Sequence, residues 1–214
     1  PLLLGISIGA VASGRVVESL QGSFFSRFIA PWLTPFSVAV GLMTLAIFAF
    51  LAAVFLTLET SDRDLADDFR RRGLLAGVAV FGTAFLALAL SPSDAPLVTK
   101  GLIGSPWALP LHLLTGAFAV ATLAALWGRR YRLARMTVGV QILCIVGGWA
   151  MAQYPYVIPP DLTIVEAAAP PVTLRLVAIV LGIGGVILLP SLVYLFRIFK
   201  SAPADPAERP AGGG

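Results

Sequence analysis

Five apolar runs, each long enough to cross a membrane as a helix, constrain this chain more than any other feature of its sequence. A helix rises 1.5 Å per residue, so about 20 apolar residues cross a hydrocarbon core roughly 30 Å thick. Hydrophobic residues make up 58% of the chain and charged residues only 12%, against roughly a quarter charged in soluble domains. The pattern predicts an all-α, polytopic transmembrane helix bundle.

We expect five full spans and one partial span in a transmembrane domain of residues 1–200. The full spans cover 35–58, 73–90, 107–127, 136–156 and 172–196, and the apolar run 1–13 is too short to cross. That run lacks an initiator Met and preceding basic residues, which indicates a helix cut by a missing N-terminus, with a processed mature terminus as the alternative. Residues 201–214 are rich in Pro, Ala and Gly and are expected to be a disordered tail.

Basic residues near the span ends predict the orientation, because Lys and Arg are retained on the cytoplasmic side. With alternating spans, most of them gather on one side: Arg63, Arg70, Arg71, Arg72, Arg129, Arg130, Arg132, Arg135, Arg197, Lys200 and Arg209. The other side holds Arg15, Arg27, Lys100 and Arg175. This predicts a cytoplasmic C-terminus and an outer loop over 155–171. The excess of basic residues is thus explained by membrane topology, and no nucleic-acid partner is needed to account for it.

The strongly charged run 61–72 predicts a short cytosolic helix. Ser61 and Asp64 have capping-box spacing, and the acids precede the arginines, as a helix dipole favours. Two acid–base pairs are four residues apart, Asp67 with Arg71 and Asp68 with Arg72. A basic ligand site is the alternative, although the acids neutralise it. The arginines between 129 and 135 indicate first a topology anchor and second a site for anionic lipid.

Two further segments have a predicted form. Between residues 16 and 29 apolar side chains recur at helical spacing, which indicates either a helix lying on the outer interface or a loop packed on its neighbours. Prolines shape the last two spans: those at 155, 159 and 160 end the fourth, and Pro171 starts the fifth. Pro190 is expected to kink the fifth span, with Ser191 bonding a freed backbone group.

Few side chains are of the types that bind haem or metal ions or that act as catalytic groups. A haem-binding bundle needs axial ligands that point inward from helices, and the chain has one histidine, His112. Its methionines, Met43, Met136 and Met151, show no pairing with it. No metal-binding cluster, phosphate-binding glycine loop or activated nucleophile stands out. We therefore predict that this chain alone has no catalytic, cofactor-binding or metal-binding residue.

Six side chains remain as candidates for proton chemistry, for binding a polar head group or for subunit contacts: Glu166, Asp161, Tyr154, Gln141, His112 and Glu59. Gln141 lies within a span, where a polar group needs a partner, and inter-helix hydrogen bonding is the favoured role. Glu59 can reach cytosolic water, and His112 serves as a hydrogen-bonding group at the outer interface or as a proton relay. The two loop carboxylates either accept protons or position a polar head group, or are simply capped and hydrated.

Ordered motifs along the chain resemble subunit II of cytochrome bd-type quinol oxidases. Gln153-Tyr-Pro-Tyr-Val-Ile-Pro, Leu162-Thr-Ile-Val-Glu-Ala-Ala and Pro171-Val-Thr-Leu are similar to the signature near the end of that family. Leu3-Leu-Gly-Ile-Ser-Ile-Gly and Trp32-Leu-Thr-Pro-Phe-Ser-Val-Ala-Val-Gly-Leu are similar to its middle segments, in the same order. The resemblance covers almost the whole chain except the tail. Glu166 falls at an acidic position of the family.

The resemblance implies a heterodimer in a bacterial or archaeal plasma membrane that oxidises quinol and reduces dioxygen to water. Subunit I would carry haems b and d and the quinol site, and this chain would support it without ligating haem. A small single-span subunit and membrane lipids would be further partners. The family's N-terminal helices have no counterpart before Pro1. The alternatives are a fragment of a secondary transporter or permease, in which interrupted helices carry polar groups near the midplane, and a structural assembly factor.

Overall fold

The structure, a computed structural model, describes residues 1–15 and 23–201. It forms two compact units, Pro1–Ala167 and a second that begins at Ala168. The described helices are α1 (Leu2–Ser13), α2 (Phe24–Phe28), a 3-10 turn (Ala30–Trp32), α3 (Pro35–Glu59), α4 (Arg63–Asp94), α5 (Pro96–Gly104), α6 (Ala108–Trp127), α7 (Tyr131–Gln153) and α8 (Pro171–Ser201). Between α7 and α8 lie two short strands, β1 (Tyr156–Ile158) and β2 (Leu162–Thr163).

Five of these helices, α3, α4, α6, α7 and α8, are long and apolar enough to cross a membrane, and α1 is a shorter apolar helix. The predicted all-α fold with five full spans and one partial span is confirmed. Of the predicted segment 16–29, residues 16–22 lie outside the described residues, and the rest contains α2 and the 3-10 turn. The predicted disordered tail also lies outside them, apart from residue 201.

The prediction of a separate short helix over 61–72 is wrong, because α4 runs without a break through the charged run and the span. At 1.5 Å per residue its 32 residues extend about 48 Å, more than the hydrocarbon core requires. Arginines favour helix, and a single glycine costs only about 1 kcal/mol, so nothing at Arg72 and Gly73 ends it. The N-cap is Asp62, whose side chain accepts from the amide of Asp64 over 2.9 Å, in place of the predicted Ser61.

At its other end α4 continues past the predicted limit of Leu90, through Pro92 to Asp94. Proline has no amide proton, so Pro92 cannot donate to the carbonyl of Leu88 four residues earlier. The hydroxyl of buried Ser91 donates to that carbonyl over 2.8 Å. Ser91 also accepts a hydrogen bond from the hydroxyl of Thr99 on α5 over 2.8 Å. A hydroxyl therefore satisfies the backbone group that the proline leaves free.

Small residues let α1 and α3 approach closely. Gly5 and Gly9 are four residues apart on α1, the spacing of small residues at close helix crossings in membranes. A Cβ at Gly5 would lie 2.7 Å from the Cα of Gly41, and one at Gly9 would lie 2.7 Å from the Cα of Ser37. Neither site has room for a larger side chain. The two helices are thus held by backbone-to-backbone packing.

Helix α3 packs against α1, α4 and α7 and supplies much of the apolar core of the first unit. The core also includes α6 and α7, whose facing hydroxyls of Thr122 and Thr137 are hydrogen bonded over 2.9 Å. The fully buried large side chains are Phe36, Val40, Phe50, Val54, Val98, Leu126 and Val138. Membrane helices gain little from apolar burial alone, so close packing and such hydroxyl pairs hold them together.

In the second unit, α8 begins at Pro171, one residue before the predicted start, and contains Pro190 within it. The hydroxyl of Ser191 donates to the carbonyl of Ile187 over 2.7 Å. Pro190 itself leaves the carbonyl of Val186 without its usual donor. Ser191 therefore does not bond the carbonyl of Val186, which the proline frees. It bonds the next carbonyl along the chain, that of Ile187.

Candidate functional site

The predicted loop between α7 and α8 contains a small antiparallel hairpin. Strand β1 pairs with β2, with Tyr156 opposite Thr163 and Ile158 opposite Leu162. The amide of Ile164 also donates to the carbonyl of Pro155 over 2.9 Å. Peptide bonds are cis before Pro155 and before Pro160. The prolines that end the helix thus also shape an ordered structure beyond it.

Side chains at the end of α7 attach this hairpin to the helices. Nε1 of Trp149 donates to Oε1 of Gln153, and Nε2 of Gln153 donates to the carbonyl of Val157, each over 3.0 Å. The Trp149 ring also stacks on Phe36 at the start of α3, with ring centroids 6.1 Å apart. The hairpin is thereby linked through α7 to the first turn of α3.

The loop between the two strands also touches the end of α1. Gly14 caps α1 in the left-handed conformation, with φ of 74°. A Cβ at Gly14 would overlap the carbonyl oxygen of Pro159. Both the backbone angle and the close approach therefore require glycine at this position.

Glu166 is an exposed carboxylate that binds its own loop. Its Oε2 accepts hydrogen bonds from the amide of Thr163 over 2.9 Å and from the hydroxyl of Thr163 over 2.7 Å. The amide of Glu166 donates back to the same hydroxyl over 3.3 Å. These bonds favour the ionised form, and the pKa of Glu166 is lowered from its ordinary value, first by the backbone amide and second by the hydroxyl of Thr163.

The other two loop candidates do not join Glu166. Asp161 is exposed and makes no hydrogen bond or ion pair with any residue that the structure describes. Tyr154 is 72% exposed and caps the end of α7, its amide donating to the carbonyl of Ala150 over 3.0 Å. No hydrogen bond or ion pair therefore links the side chains of Asp161 or Tyr154 to Glu166 in the described part of the chain.

An ion pair with a buried carboxylate, near the same end of the helices, was not predicted. Nη2 of Arg15 lies 2.8 Å from Oδ1 of Asp94, and Asp94 is only 8% exposed. The other carboxylate oxygen accepts from the amide of Phe36, in the first turn of α3, over 3.2 Å. An anion at a helix N-terminus is stabilised by the helix dipole and the free amides. Asp94 thus ties together α3, the end of α4 and the segment after α1.

The opposite end of these helices carries a set of arginine ion pairs. Glu59 accepts from Nη1 of Arg135 over 3.2 Å, and the guanidinium of Arg135 lies 4.5 Å from the ring centre of Phe55. Glu59 was expected to reach cytosolic water, and the structure shows that it also forms an ion pair with Arg135. Its two side chains are 53% and 37% exposed, so the pair contributes at most about 1 kcal/mol.

Asp67, on the charged turns of α4, pairs differently from the prediction. It binds Nη2 of Arg129 over 2.8 Å and lies 3.4 Å from Nε of Arg70, instead of pairing with Arg71. The Arg70 contact has ion-pair distance without hydrogen-bond geometry. The predicted pair of Asp68 with Arg72 is present over 2.8 Å. Arg129, which follows α6, is thus anchored to the charged first turns of α4.

Gln141 and His112 occupy contrasting positions. Gln141 lies in the middle of α7 and is 5% exposed, and its Oε1 has no hydrogen-bond partner among the described residues. His112 is exposed, and its Nδ1 lies 2.6 Å from the carbonyl of Ala108, one turn earlier on α6. The inter-helix bond expected of Gln141 is not seen within the described part of the chain, and His112 bonds its own helix.

Across residues 1–15 and 23–201, no three His, Cys, Asp or Glu side chains lie close enough to hold a metal ion. Of the six candidates, Glu59 and Glu166 have charged or hydroxyl partners, and no hydrogen bond or ion pair joins any two of the six. The residues that sequence reasoning missed are Arg15 and Asp94. A signal was present, because Asp94 closes a Ser-Pro-Ser-Asp segment at a span end and Thr34-Pro35 marks a helix start whose first amides need an acceptor.

The fold and the ion pairs at both helix ends define a polytopic helical membrane protein. The sequence pattern of the family described as cytochrome bd terminal oxidase subunit II matches residues 1–199. The chain belongs to this family, and the predicted resemblance is confirmed.

The fold is also similar to a solved structure, "The structure of bd oxidase from Geobacillus thermodenitrificans". The TM-score is 0.66 and the sequence identity 24%, and the match covers 92% of this chain and 62% of that chain. At this identity the likeness concerns the fold. The chain spans less than two thirds of the length of the bd oxidase chain that it matches. Among curated proteins, none matches this chain in sequence.

Proposed function

We propose that this chain is a non-haem-ligating subunit of a membrane quinol:oxygen oxidoreductase, where it supports a haem-bearing subunit I. The observation that carries the proposal is the family match over residues 1–199. In this role the chain holds its partner in the bilayer, while haems b and d, quinol oxidation and the reduction of dioxygen to water belong to the partner. A small single-span subunit and membrane lipids complete the proposed assembly.

The donor chemistry of the chain supports placing the haems in the partner. A haem with protein ligands takes them from inward-pointing His, Met, Cys or Tyr side chains. His112 is exposed and bonds a backbone carbonyl, and Met136 and Met151 are exposed as well. Met43 is buried on α3, and the exposed His112 lies on α6. These positions support placing the haem ligands in the partner, and no step of the reaction is assigned to the described residues.

The contacts at both helix ends support a structural role for the candidate side chains. Glu166 holds the turn after β2, and Glu59 joins α3 to α7. Gln141 lies in the middle of α7, and its Oε1 accepts no hydrogen bond from a described residue. Its partner would therefore come from outside the described residues. We propose that these groups maintain the helix arrangement that the haem-bearing subunit contacts.

We further propose a bacterial or archaeal plasma-membrane location with the C-terminus in the cytoplasm. Glu59 with Arg135 and Asp67 with Arg129 join the ends of α3, α4, α6 and α7 that carry most of the arginines. The hairpin and Asp94 lie at the other ends of these helices. Because Lys and Arg are retained in the cytoplasm, the arginine-rich ends are placed there.

Purification from native membranes tests the proposed function. An affinity-tagged chain is isolated in mild detergent, the co-purifying chains are identified, and a reduced-minus-oxidised spectrum and quinol-dependent oxygen consumption are recorded. We expect a haem-bearing partner, a haem spectrum and oxygen consumption. A chain that purifies intact with no haem-bearing partner and no haem signal would contradict the proposal, and substrate transport by such a preparation would favour a transporter.

A matched pair of glycine variants tests whether the fold of this chain supports the haem subunit. Gly9→Val places a side chain against the backbone of α3, whereas Gly116→Ala places a methyl group in open space. We expect Gly9→Val to lower the yield of haem per purified complex and Gly116→Ala to leave it unchanged. Equal haem yields from the two variants, with Gly9→Val destabilised, would count against a supporting role.

A further inference from the structure

A shallow apolar groove lies between α4 and α6, near the arginine-rich ends of these helices. Its volume is about 440 Å³, and it is lined by Leu74 and Val78 of α4 and by Val120, Leu123, Ala124 and Trp127 of α6. Val78, Val120 and Trp127 are 64%, 68% and 74% exposed. The groove is thus an open channel of apolar surface along the side of the helices.

Positive charge gathers where this groove ends. Arg71 precedes Leu74 by three residues and Val78 by seven, so the three share one face of α4. Arg130 follows Trp127 by three residues, at the turn into α7. Both arginines are exposed, and neither has an ion pair with a residue that the structure describes.

The neighbouring arginines differ from these two, because acidic side chains already bind them. Arg70 and Arg129 lie within ion-pair distance of Asp67, and Arg72 binds Asp68. The acids of the charged turns are therefore paired with these arginines, whereas Arg71 and Arg130 have no ion pair with a described residue. Trp127, the last residue of α6, lines the groove at the arginine-rich end, and tryptophan favours the level of lipid head groups.

We propose that this groove binds one anionic phospholipid, with an acyl chain along the apolar walls and the phosphate between Arg71 and Arg130. Guanidinium groups match phosphate with paired, charge-assisted hydrogen bonds. Long basic side chains at a span end also extend toward the interface, which brings their charge to the head group. An uncharged helix of a partner protein would match the walls but leave both arginines without a counter-ion, so the charge pattern favours the lipid.

Photo-crosslinking in the assembled complex tests this site. The complex is placed in phosphatidylcholine nanodiscs that contain a trace of phosphatidylglycerol or phosphatidylcholine with a diazirine in the acyl chain, and adducts are mapped by peptide mass spectrometry. We expect adducts within 74–78 and 120–127, several-fold more from phosphatidylglycerol than from phosphatidylcholine. The double variant Arg71→Gln, Arg130→Gln should remove this preference, and Ala124→Phe should lower labelling by both lipids.

Arg63→Gln is the matched control, because Arg63 begins α4 about 12 Å along the helix from Arg71 and has no ion pair with a described residue. It should keep the preference for phosphatidylglycerol. Equal labelling by the two lipids in the unchanged protein would overturn the proposal, as would a preference that survives the double variant. Labelling elsewhere on the chain with none in the groove would show that protein covers it, and would also overturn the proposal.

Discussion

Arg15 and Asp94 form an ion pair 2.8 Å long that joins the segment after α1 to the last residue of α4. The second oxygen of Asp94 binds the amide of Phe36, so the same carboxylate also caps α3. Asp94 is 8% exposed and the Arg15 side chain 45% exposed. The buried carboxylate therefore has two donors from distant parts of the sequence, and Arg15 retains access to water.

Asp94→Ala is expected to lower the free energy of unfolding by about 2 kcal/mol, because it leaves the buried amide of Phe36 without an acceptor and removes a charged hydrogen bond. Arg15→Gln should cost less, since Arg15 is half exposed. Thermal unfolding in detergent measures both. Asp161→Ala, at an exposed carboxylate in the loop, is the control and should change little. Equal effects of Asp94→Ala and Asp161→Ala would refute the capping role.

Gly9→Ala is expected to destabilise the contact between α1 and α3 by about 1–3 kcal/mol, the usual range for an overpacked site. The added methyl carbon would lie 2.7 Å from the Cα of Ser37, so a helix must shift. Gly116→Ala, with nothing within 4 Å of its added carbon, should be neutral or slightly stabilising. The comparison is made by unfolding temperature in the same detergent. A neutral Gly9→Ala would show that α1 is free to move.

Ser91→Ala is expected to cost about 1–3 kcal/mol, because the carbonyl of Leu88 loses the hydroxyl that replaces the missing amide of Pro92. The hydrogen bond from Thr99 would be lost as well. Ser93→Ala is a matched control, since Ser93 is exposed and bonds the carbonyl of Leu90 in the same manner. If the two variants unfold at the same temperature, the serine has no special role at the proline.

The proposed orientation predicts which loops face the cytoplasm. Single cysteines are introduced by Arg132→Cys and Asp161→Cys, both at exposed positions, after the chain's one cysteine, Cys144, is replaced. A membrane-impermeant maleimide should label Asp161→Cys in intact cells and Arg132→Cys only in permeabilised cells, because arginine-rich loops stay in the cytoplasm. The reverse labelling would invert the topology.

The sequence predicted the membrane spans well because apolar length alone decides whether a helix can cross. It failed at 61–72, where charge patterning suggested a separate helix although neither Arg72 nor Gly73 ends one. It missed Asp94 because Arg15 and Phe36 come close to it only after three helices have packed. Glu166 was singled out by residue type, and its partner Thr163 stands three residues earlier, a spacing already visible in the sequence.

Glu166 is expected to make the stability of the protein depend on pH, with a defined sign. Its pKa in the folded protein lies below the ordinary value of 4.5 because Thr163 donates to the ionised carboxylate. A lowered folded-state pKa adds stability above the unfolded-state pKa, and this contribution is lost as the pH falls through the folded-state pKa. Unfolding temperatures of the unchanged protein and of Glu166→Gln should therefore differ at neutral pH and converge in strong acid. Asp161→Asn, which alters a carboxylate without a described partner, should show no such convergence.

The same bonds bear on whether Glu166 handles protons during turnover. To accept a proton, the carboxylate must weaken two hydrogen bonds from Thr163, so we expect Glu166→Gln to leave quinol oxidase turnover unchanged in a complex of normal yield. Thr163→Val removes the hydroxyl donor and should reduce the pH-dependent stabilisation while leaving turnover equally unaffected. A fall in turnover for Glu166→Gln alone, with Thr163→Val fully active, would instead assign the carboxylate to proton or quinone chemistry.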